Sequence, residues 1–261
     1  ISPDETLRIT QELYEKKLVT YPRTDARVLS TAVAKEIYKN INGLRGYEPA
    51  AGYAAEILSG GSYKTIAKTK YTNDKQITDH YAIIPTGQTG AVKGLSAMAL
   101  KVYDAIVKRF LAIFYPPAVY QKVAIVMKKD TESLFSSFKV LISEGYLKVA
   151  GIPASQSRGN KNDDETEDVK CDAAMLELLQ KLKKGDIIQA GEFFVKEGKT
   201  SPPKRYNSGS LILAMENAGQ LIEDEELRAQ IKGSGIGTSA TRAEILKKLI
   251  DKGYIRLNGK T

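Results

Sequence analysis

Leu18-Val19-Thr20-Tyr21-Pro22-Arg23-Thr24-Asp25 is the run on which the reading of this chain turns. Within it a phenol, a guanidinium, a hydroxyl and a carboxylate fall between Tyr21 and Asp25. Pro22 fixes its own φ and pushes Tyr21 out of the helical region. The run is therefore expected to be a stiff extended connector that presents the Tyr21 hydroxyl instead of packing it. In an extended segment Arg23, two residues on, projects to the same side as Tyr21. A phenol, with a reference pKa of about 10, is a weak nucleophile. It attacks well only where a positive charge or a base favours the phenolate. A guanidinium can also hold a phosphate bidentately. The run thus fits a tyrosine that attacks a phosphodiester. It also fits a buried Tyr before a Pro-stiffened turn with Thr24 or Asp25 as helix cap.

Working outward, Ser2-Pro3-Asp4-Glu5 reads as a helix start, with Ser2 as N-cap, Pro3 in the first turn and Glu5 closing a capping box. The spacing of Ile9 and Leu13, and of Leu7 and Tyr14, predicts a helix over 2–18 that feeds into the Tyr21 run. Ser30 or Thr31 opens a second helix to about Ile41, with Ala34, Ile37 and Ile41 on one face. Gly43 to Gly61 reads as a loop and a short helix. In 62–90, Lys64, Lys68, Lys70 and Lys75 interleave with Tyr63 and Tyr71. That pattern suits a nucleic-acid single strand, with phosphates on lysines and bases on rings, and it also suits a solvated basic loop. Asp79-His80 then leads into apolar Ala82-Ile83-Ile84-Pro85. Ser96 to Phe114 reads as a long helix with a stripe of Val102, Ile106, Phe110 and Ile113. Tyr115-Pro116-Pro117 ends it and marks a boundary.

Beyond that boundary, strands are expected over Ala118–Met127, Ser133–Ile142 and Tyr146–Val149, with further strands at Ile187-Ile188 and Phe193-Phe194-Val195. Ser155 to Lys170 is polar and acidic, a mobile loop between strands. Leu176 to Leu182 reads as a short helical turn or a linker before Gly185-Asp186. Helices return over Ser208–Asn217, Glu223–Lys232 and Thr241–Lys252. Gly253 stops the last of them, and Tyr254–Leu257 begins a strand. Helix, Gly-rich turn, helix and strand together are what a winged helix-turn-helix shows.

The 261 residues are 42% hydrophobic, enough for one large domain or two to three small ones. A formal charge of +8 suits a polyanionic partner. The single Cys171 excludes an internal disulfide and a cysteine-only metal site, and the single His80 excludes His-cluster metal sites. No apolar run approaches a membrane span and no signal peptide is evident, so a cytoplasmic, membrane-free protein is expected. The start at Ile1 and the abrupt end at Thr261 lead us to expect a piece excised from a longer protein.

Val19-Thr20-Tyr21-Pro22-Arg23-Thr24-Asp25 resembles the active-site motif of the type IA DNA topoisomerases, closest to their topoisomerase III branch. Three further runs resemble the same family in the same order. They are Asp79-His80-Tyr81-Ala82-Ile83-Ile84-Pro85-Thr86, Pro202-Pro203-Lys204-Arg205-Tyr206, and Gly235-Ile236-Gly237-Thr238-Ser239-Ala240-Thr241-Arg242-Ala243-Glu244-Ile245. The resemblance implies that Tyr21 is the nucleophile, taking a 5′ phosphate while a 3′ hydroxyl is released and later reseals the strand. Arg23 would hold the scissile phosphate and His80 would orient it. Lys204, Arg205, Thr241 and Arg242 would contact the DNA backbone, and the Gly-rich turn before Thr241 offers N–H groups at a helix start. Asp79 and Thr86 read as structural. The sequence departs from the family pattern at Ala26, Tyr81 and Ser239, which alters hydrogen bonding near Tyr21 without removing the nucleophile.

The resemblance also implies an α+β multidomain fold. Residues 1–117 would be a helix-rich active-site tyrosine domain, 118–200 a partial β arch domain, and 201–261 a partial helical, winged-helix-like DNA-binding domain. Nothing replaces the family's N-terminal Toprim domain: Asp163-Asp164-Glu165 lacks the strand context of its metal ligands. Mg²⁺ is accordingly expected to bind outside this chain, with no metal ligands within it. The expected partner is DNA, mainly single-stranded, handled by a monomer that relaxes or decatenates it one strand at a time. A non-catalytic DNA-binding module built on the C-terminal helices is the other class. A tyrosine recombinase would need several separated arginines and histidines around a tyrosine late in the chain.

Overall fold

A computed structural model of the chain describes residues 1–151, 173–189, 195, 197–200, 202–231 and 235–258. In chain order the elements are α1 (Pro3–Glu15), α2 (Thr31–Glu36), α3 (Tyr38–Gly43), α4 (Glu48–Gly60), α5 (Ala97–Ala112), β1 (Val119–Lys129), β2 (Glu132–Ser143), α6 (Leu147–Ala150), α7 (Ala173–Lys181), α8 (Ser208–Glu216), α9 (Glu225–Ile231) and α10 (Arg242–Asp251). They divide into two units: Ile1–Phe114 together with Pro203–Thr261, and Tyr115–Pro202. The mixture of helix and sheet agrees with the fold class expected from the sequence.

In the first unit, Ser2 caps α1 as expected, its hydroxyl accepting the Glu5 N–H at 3.1 Å. The helix stops short of the predicted Leu18. Lys17 takes a left-handed φ of 60°. The Leu18 N–H then reaches back to the Leu13 carbonyl at 2.9 Å and the Lys17 N–H to Tyr14 at 2.8 Å. This Schellman turn seats Leu18 in the core, fully buried, and fixes the direction in which the tyrosine run leaves.

The single helix expected over 31–41 is two, α2 and α3, joined at Ile37, and the apolar face of Ala34, Ile37 and Ile41 is buried as read. The stripe on α5 is rotated from the one expected. Tyr103, Val107, Phe110 and Leu111 are buried, while Val102, Ile106 and Ile113 are half-buried. The reason is aromatic: Tyr103 packs edge-on against Tyr47, with ring centroids 5.2 Å apart, and burying that ring outweighs burying Val102.

A close approach sets the His80 segment against α3. A Cβ on Gly43 would lie 2.1 Å from the Gly87 carbonyl oxygen, so only glycine allows this contact. Asn40 completes it, donating from its side chain to the Pro85 carbonyl at 2.9 Å.

The second unit is built on the antiparallel hairpin β1–β2, paired from Val119 with Ser143 to Lys129 with Glu132. Tyr146–Val149 is not a strand. Gly145, at φ 49°, turns the chain, the Tyr146 N–H donates to Pro116 at 2.8 Å, and Leu147–Ala150 closes as the helical turn α6. Ile187-Ile188 has no strand partner among the described residues, and Ile187 is 98% exposed. The acidic loop over 155–170 and Phe193-Phe194 lie outside the described residues.

At the chain's end Tyr254–Leu257 is likewise not a strand. Gly253, at φ 75°, and Tyr254 form a second Schellman turn, with N–H groups donating to Ile250 at 2.9 Å and Leu249 at 3.0 Å. Among the described residues no helix is long and apolar enough to cross a membrane.

Candidate active site at Tyr21

One segment far away in sequence, Ala82–Thr86, holds the tyrosine run. The Thr20 N–H donates to the Ile84 carbonyl at 2.9 Å, and the Ile84 N–H donates back to the Thr20 hydroxyl at 3.0 Å. That hydroxyl donates to the Ala82 carbonyl at 3.2 Å. One turn earlier, Thr86 donates from its N–H to Leu18 at 3.0 Å and from its hydroxyl to Lys17 at 2.6 Å. Val19 and Pro85 pair as an antiparallel bridge. The run is therefore extended over Leu18–Thr20, before it bends at Pro22, and its partner is the segment that carries His80.

Tyr21 is half-buried and His80 exposed, and their rings lie 4.4 Å apart at 46°. Tyr14, from the last turn of α1, meets Tyr21 edge-on at 5.4 Å. Both Tyr21 and His80 line an open cavity of about 570 Å³, with Lys17, Thr86 and Gln88 on its walls. Thr24 ties the two segments together again, its hydroxyl donating to the His80 carbonyl at 2.7 Å and accepting from the Ala26 N–H at 3.0 Å. Arg23 is exposed and does not line this cavity. A bend at Pro22, which is buried, breaks the alternation that would put Arg23 on the same side as Tyr21.

The other residues singled out in the sequence fall elsewhere in the same unit. Arg242, at the start of α10, is 7% exposed. Its guanidinium donates to the Ile236 carbonyl at 3.1 Å and the Gly237 carbonyl at 3.0 Å, and it meets the Asp25 carboxylate at 3.4 Å. Thr241 accepts from the Thr238 N–H at 2.8 Å, and the two threonine hydroxyls are 3.1 Å apart. The Ile236 N–H donates to Met215 at 2.7 Å. Donors of the Gly-rich turn are thus engaged within the fold. Gly237 is needed there: its φ is +68°, and a Cβ would sit 2.9 Å from the Ile245 side chain. Lys204 and Arg205 are exposed, and neither lines the Tyr21 cavity.

This arrangement sets the half-buried Tyr21 phenol beside the His80 imidazole, with the Thr20 backbone and the His80 carbonyl tied by hydrogen bonds. Among the described residues no group of three or more His, Cys, Asp or Glu is placed to hold a metal ion. The structure adds three residues to the site. Tyr14 looked in sequence like one side of a helical stripe. Thr24 looked like a helix cap. Asp25 is joined to Arg242 across 217 positions, which no local pattern reports.

Comparison with known proteins gives a consistent result. The DNA topoisomerase family model matches residues 1–261. DNA topoisomerase 3 of Bacillus licheniformis is 36% identical over 99% of this chain and 34% of its own length. DNA topoisomerase 3 of Bacillus subtilis is 35% identical, again over 99% of this chain and 34% of its own length. The chain thus spans about a third of the length of the curated relatives it matches. Among solved structures, full-length topoisomerase I from Thermotoga maritima superposes on all of this chain and 36% of that one, with a TM-score of 0.52 at 24% identity.

Proposed function

Because the chain belongs to the type IA DNA topoisomerase family, we propose that it supplies the nucleophile for transient cleavage of one DNA strand, and that Tyr21 is that nucleophile. The observation that carries this reading is the Tyr21 ring standing against the single histidine, His80, at the wall of an open cavity. The phenol oxygen forms a bond to a backbone phosphorus and the bond from phosphorus to the 3′ oxygen breaks. The phenol proton leaves, and the departing 3′ oxygen takes up a proton to become a hydroxyl. The reverse attack reseals the strand. The phosphotyrosine conserves the energy of the broken ester, so no nucleotide hydrolysis is needed for cleavage and religation.

His80 orients the scissile phosphate beside Tyr21. Arg23, exposed at the far side of the Pro22 bend, contacts the DNA backbone once a strand lies across the run. Lys204 and Arg205 contribute backbone contacts further along. Thr241 and Arg242 hold the turn that abuts Asp25. Strand passage that relaxes or decatenates DNA belongs to the whole enzyme, as do Mg²⁺ and the Toprim domain, which we place outside these 261 residues. We read the protein as acting on single-stranded DNA, as a monomer in the cytoplasm.

A covalent trapping assay tests the reading. The chain is mixed with a Toprim-containing N-terminal region, Mg²⁺ and an end-labelled single-stranded oligonucleotide, and the products are run on a denaturing gel. A labelled protein adduct is expected, absent with Tyr21→Phe and reduced with His80→Ala. An adduct that survives Tyr21→Phe would refute the assignment. DNA binding with no adduct, despite association of the two parts, would favour a non-catalytic binding module.

A further inference from the structure

A second surface of the first unit combines aromatic rings with cations, and none of its residues lines the Tyr21 cavity. Tyr38 on α3 is 47% exposed, and its ring lies 5.7 Å from that of Tyr63, tilted by 48°. Tyr63 sits on a 3₁₀ turn, Ser62–Lys68, that also exposes Lys64 and Lys68. Lys70 is exposed as well, with its Nζ 5.4 Å from the centre of the Tyr71 ring. Lys75 is the next exposed cation. None of these four lysines forms an ion pair with a described residue.

Negative charge there is scarce and already committed. Asp74 is the one carboxylate between Ser62 and Lys75, and it accepts the Thr31 N–H at 2.8 Å and the Thr31 hydroxyl. Glu36, beside Tyr38 in sequence, is held by Lys39 at 2.9 Å. The platform is rigid. Ile66 anchors the turn in the core at 2% exposure, and its carbonyl accepts the hydroxyls of Thr69 at 2.8 Å and Thr72 at 3.0 Å. The Leu29 N–H, four residues past Asp25, donates to the Tyr71 carbonyl at 2.8 Å, and the Asn73 N–H returns to Leu29 at 3.1 Å. The patch is therefore fastened to the end of the tyrosine run.

We propose that this face is a second docking surface for single-stranded DNA, distinct from the cavity at Tyr21. Unpaired bases stack on the Tyr38 and Tyr63 rings, and their phosphates lie on Lys64, Lys68 and Lys70. Side-by-side rings between unpaired cations select a single strand, because a duplex keeps its base faces inside and offers the rings nothing to stack on. DNA as the polymer rests on the family to which the chain belongs, but the surface does not depend on Tyr21 being the nucleophile.

The test is binding of a fluorescent oligothymidylate of about 12 nucleotides, a length in the range of single-strand sites, to the 261-residue chain. It is followed by anisotropy at several salt concentrations, with a duplex of equal length alongside. Tyr38→Ala/Tyr63→Ala is expected to weaken single-strand binding by about tenfold or more and to change duplex binding little. Lys64→Gln/Lys68→Gln/Lys70→Gln, which touches only exposed side chains, is expected to lower the salt slope by about two. The covalent adduct formed through Tyr21 is read separately on the trapping gel, so failure of this surface and failure of the Tyr21 reading are distinguishable. Unchanged affinity and slope in both patch variants, an equal loss against duplex, or no binding by the native chain would overturn the proposal.

Discussion

The Thr24 hydroxyl donates to the main-chain carbonyl of His80 at 2.7 Å, so the segment that follows Tyr21 holds the backbone of the histidine whose ring rests on Tyr21. The same oxygen accepts the Ala26 N–H, which makes Thr24 a hinge pin between two segments instead of the helix cap its sequence position suggests. Thr24→Val keeps the shape and removes the bond. It is expected to cost about 1 kcal/mol of stability and to reduce adduct formation in the reconstituted reaction, while Thr24→Ser retains both. Chemical denaturation and the trapping gel read the two effects separately. A Val variant with native adduct yield would show that His80 does not need this tie.

Arg242 and Asp25 form a pair whose two members are unequal. Arg242 is buried and serves two carbonyls besides the carboxylate, whereas the Asp25 side chain is 57% exposed. Removing Arg242 strands the Ile236 and Gly237 carbonyls, so Arg242→Ala is expected to cost about 2–3 kcal/mol. Removing the charge of Asp25 leaves those bonds in place, and Asp25→Asn is expected to cost at most about 0.5 kcal/mol. Equal losses in urea unfolding would mean that the ion pair, not the carbonyl bonds, is what holds the turn.

These two relationships also mark the limit of what was legible in the sequence. The helix starts were legible because capping is local: Ser2 and Ser30 each accept an N–H three residues on, as their positions suggested, and Ser96 and Asn207 do the same. Apolar spacing placed Ile9, Leu13, Ile37 and Ile41 in the core correctly. Failures came where glycine geometry overrode β propensity. Tyr146–Val149 and Tyr254–Leu257 are rich in strand formers, yet Gly145 and Gly253 turn the chain with positive φ, and neither segment has a partner strand among the described residues. The Tyr21 and His80 motifs could be found in order by resemblance. Their contact, the Tyr14 edge and the inward turn of Arg242 are tertiary facts that spacing does not encode.

Asp74 gives a pH dependence. Its carboxylate accepts the Thr31 hydroxyl and N–H, and these bonds hold its pKa below the ordinary carboxylate value. Because the folded pKa is the lower one, its contribution is present above the unfolded pKa and is lost as pH falls through the folded one. Asp74→Asn is therefore expected to be less stable than the native chain at neutral pH, with the gap closing in acid. Unfolding curves at neutral and strongly acidic pH check this. A gap that stays constant would mean that Asn makes the same bonds.

Tyr103 is fully buried in the core of the first unit, and its hydroxyl has no hydrogen-bond partner among the described residues. Burial, with a smaller contribution from Tyr47, pushes its pKa up to about 12. An unpaired buried hydroxyl is a liability that phenylalanine lacks, so Tyr103→Phe is expected to raise stability by about 1 kcal/mol. Thermal melting decides it. A lower melting temperature would show that the hydroxyl is satisfied in solution.

Lys17 is one of two non-glycine residues at positive φ among those described, and it sits at the turn that aims the tyrosine run. A side chain in this left-handed conformation costs roughly 1–2 kcal/mol, and glycine removes that cost while losing some of it to a more flexible unfolded chain. Lys17→Gly is expected to stabilise by about 0.5–1 kcal/mol, since the Lys17 carbonyl remains to accept from Thr86. Lys17→Ala keeps the Cβ and is expected to gain nothing. Both variants delete a cation from the wall of the Tyr21 cavity, so both are expected to bind single-stranded DNA more weakly and with a salt slope lower by about 0.7. Stability that rises only with glycine, and affinity that falls with both, would separate the backbone's role at this turn from that of the charge. A gain in both variants would instead mean that the lysine side chain itself destabilises the turn.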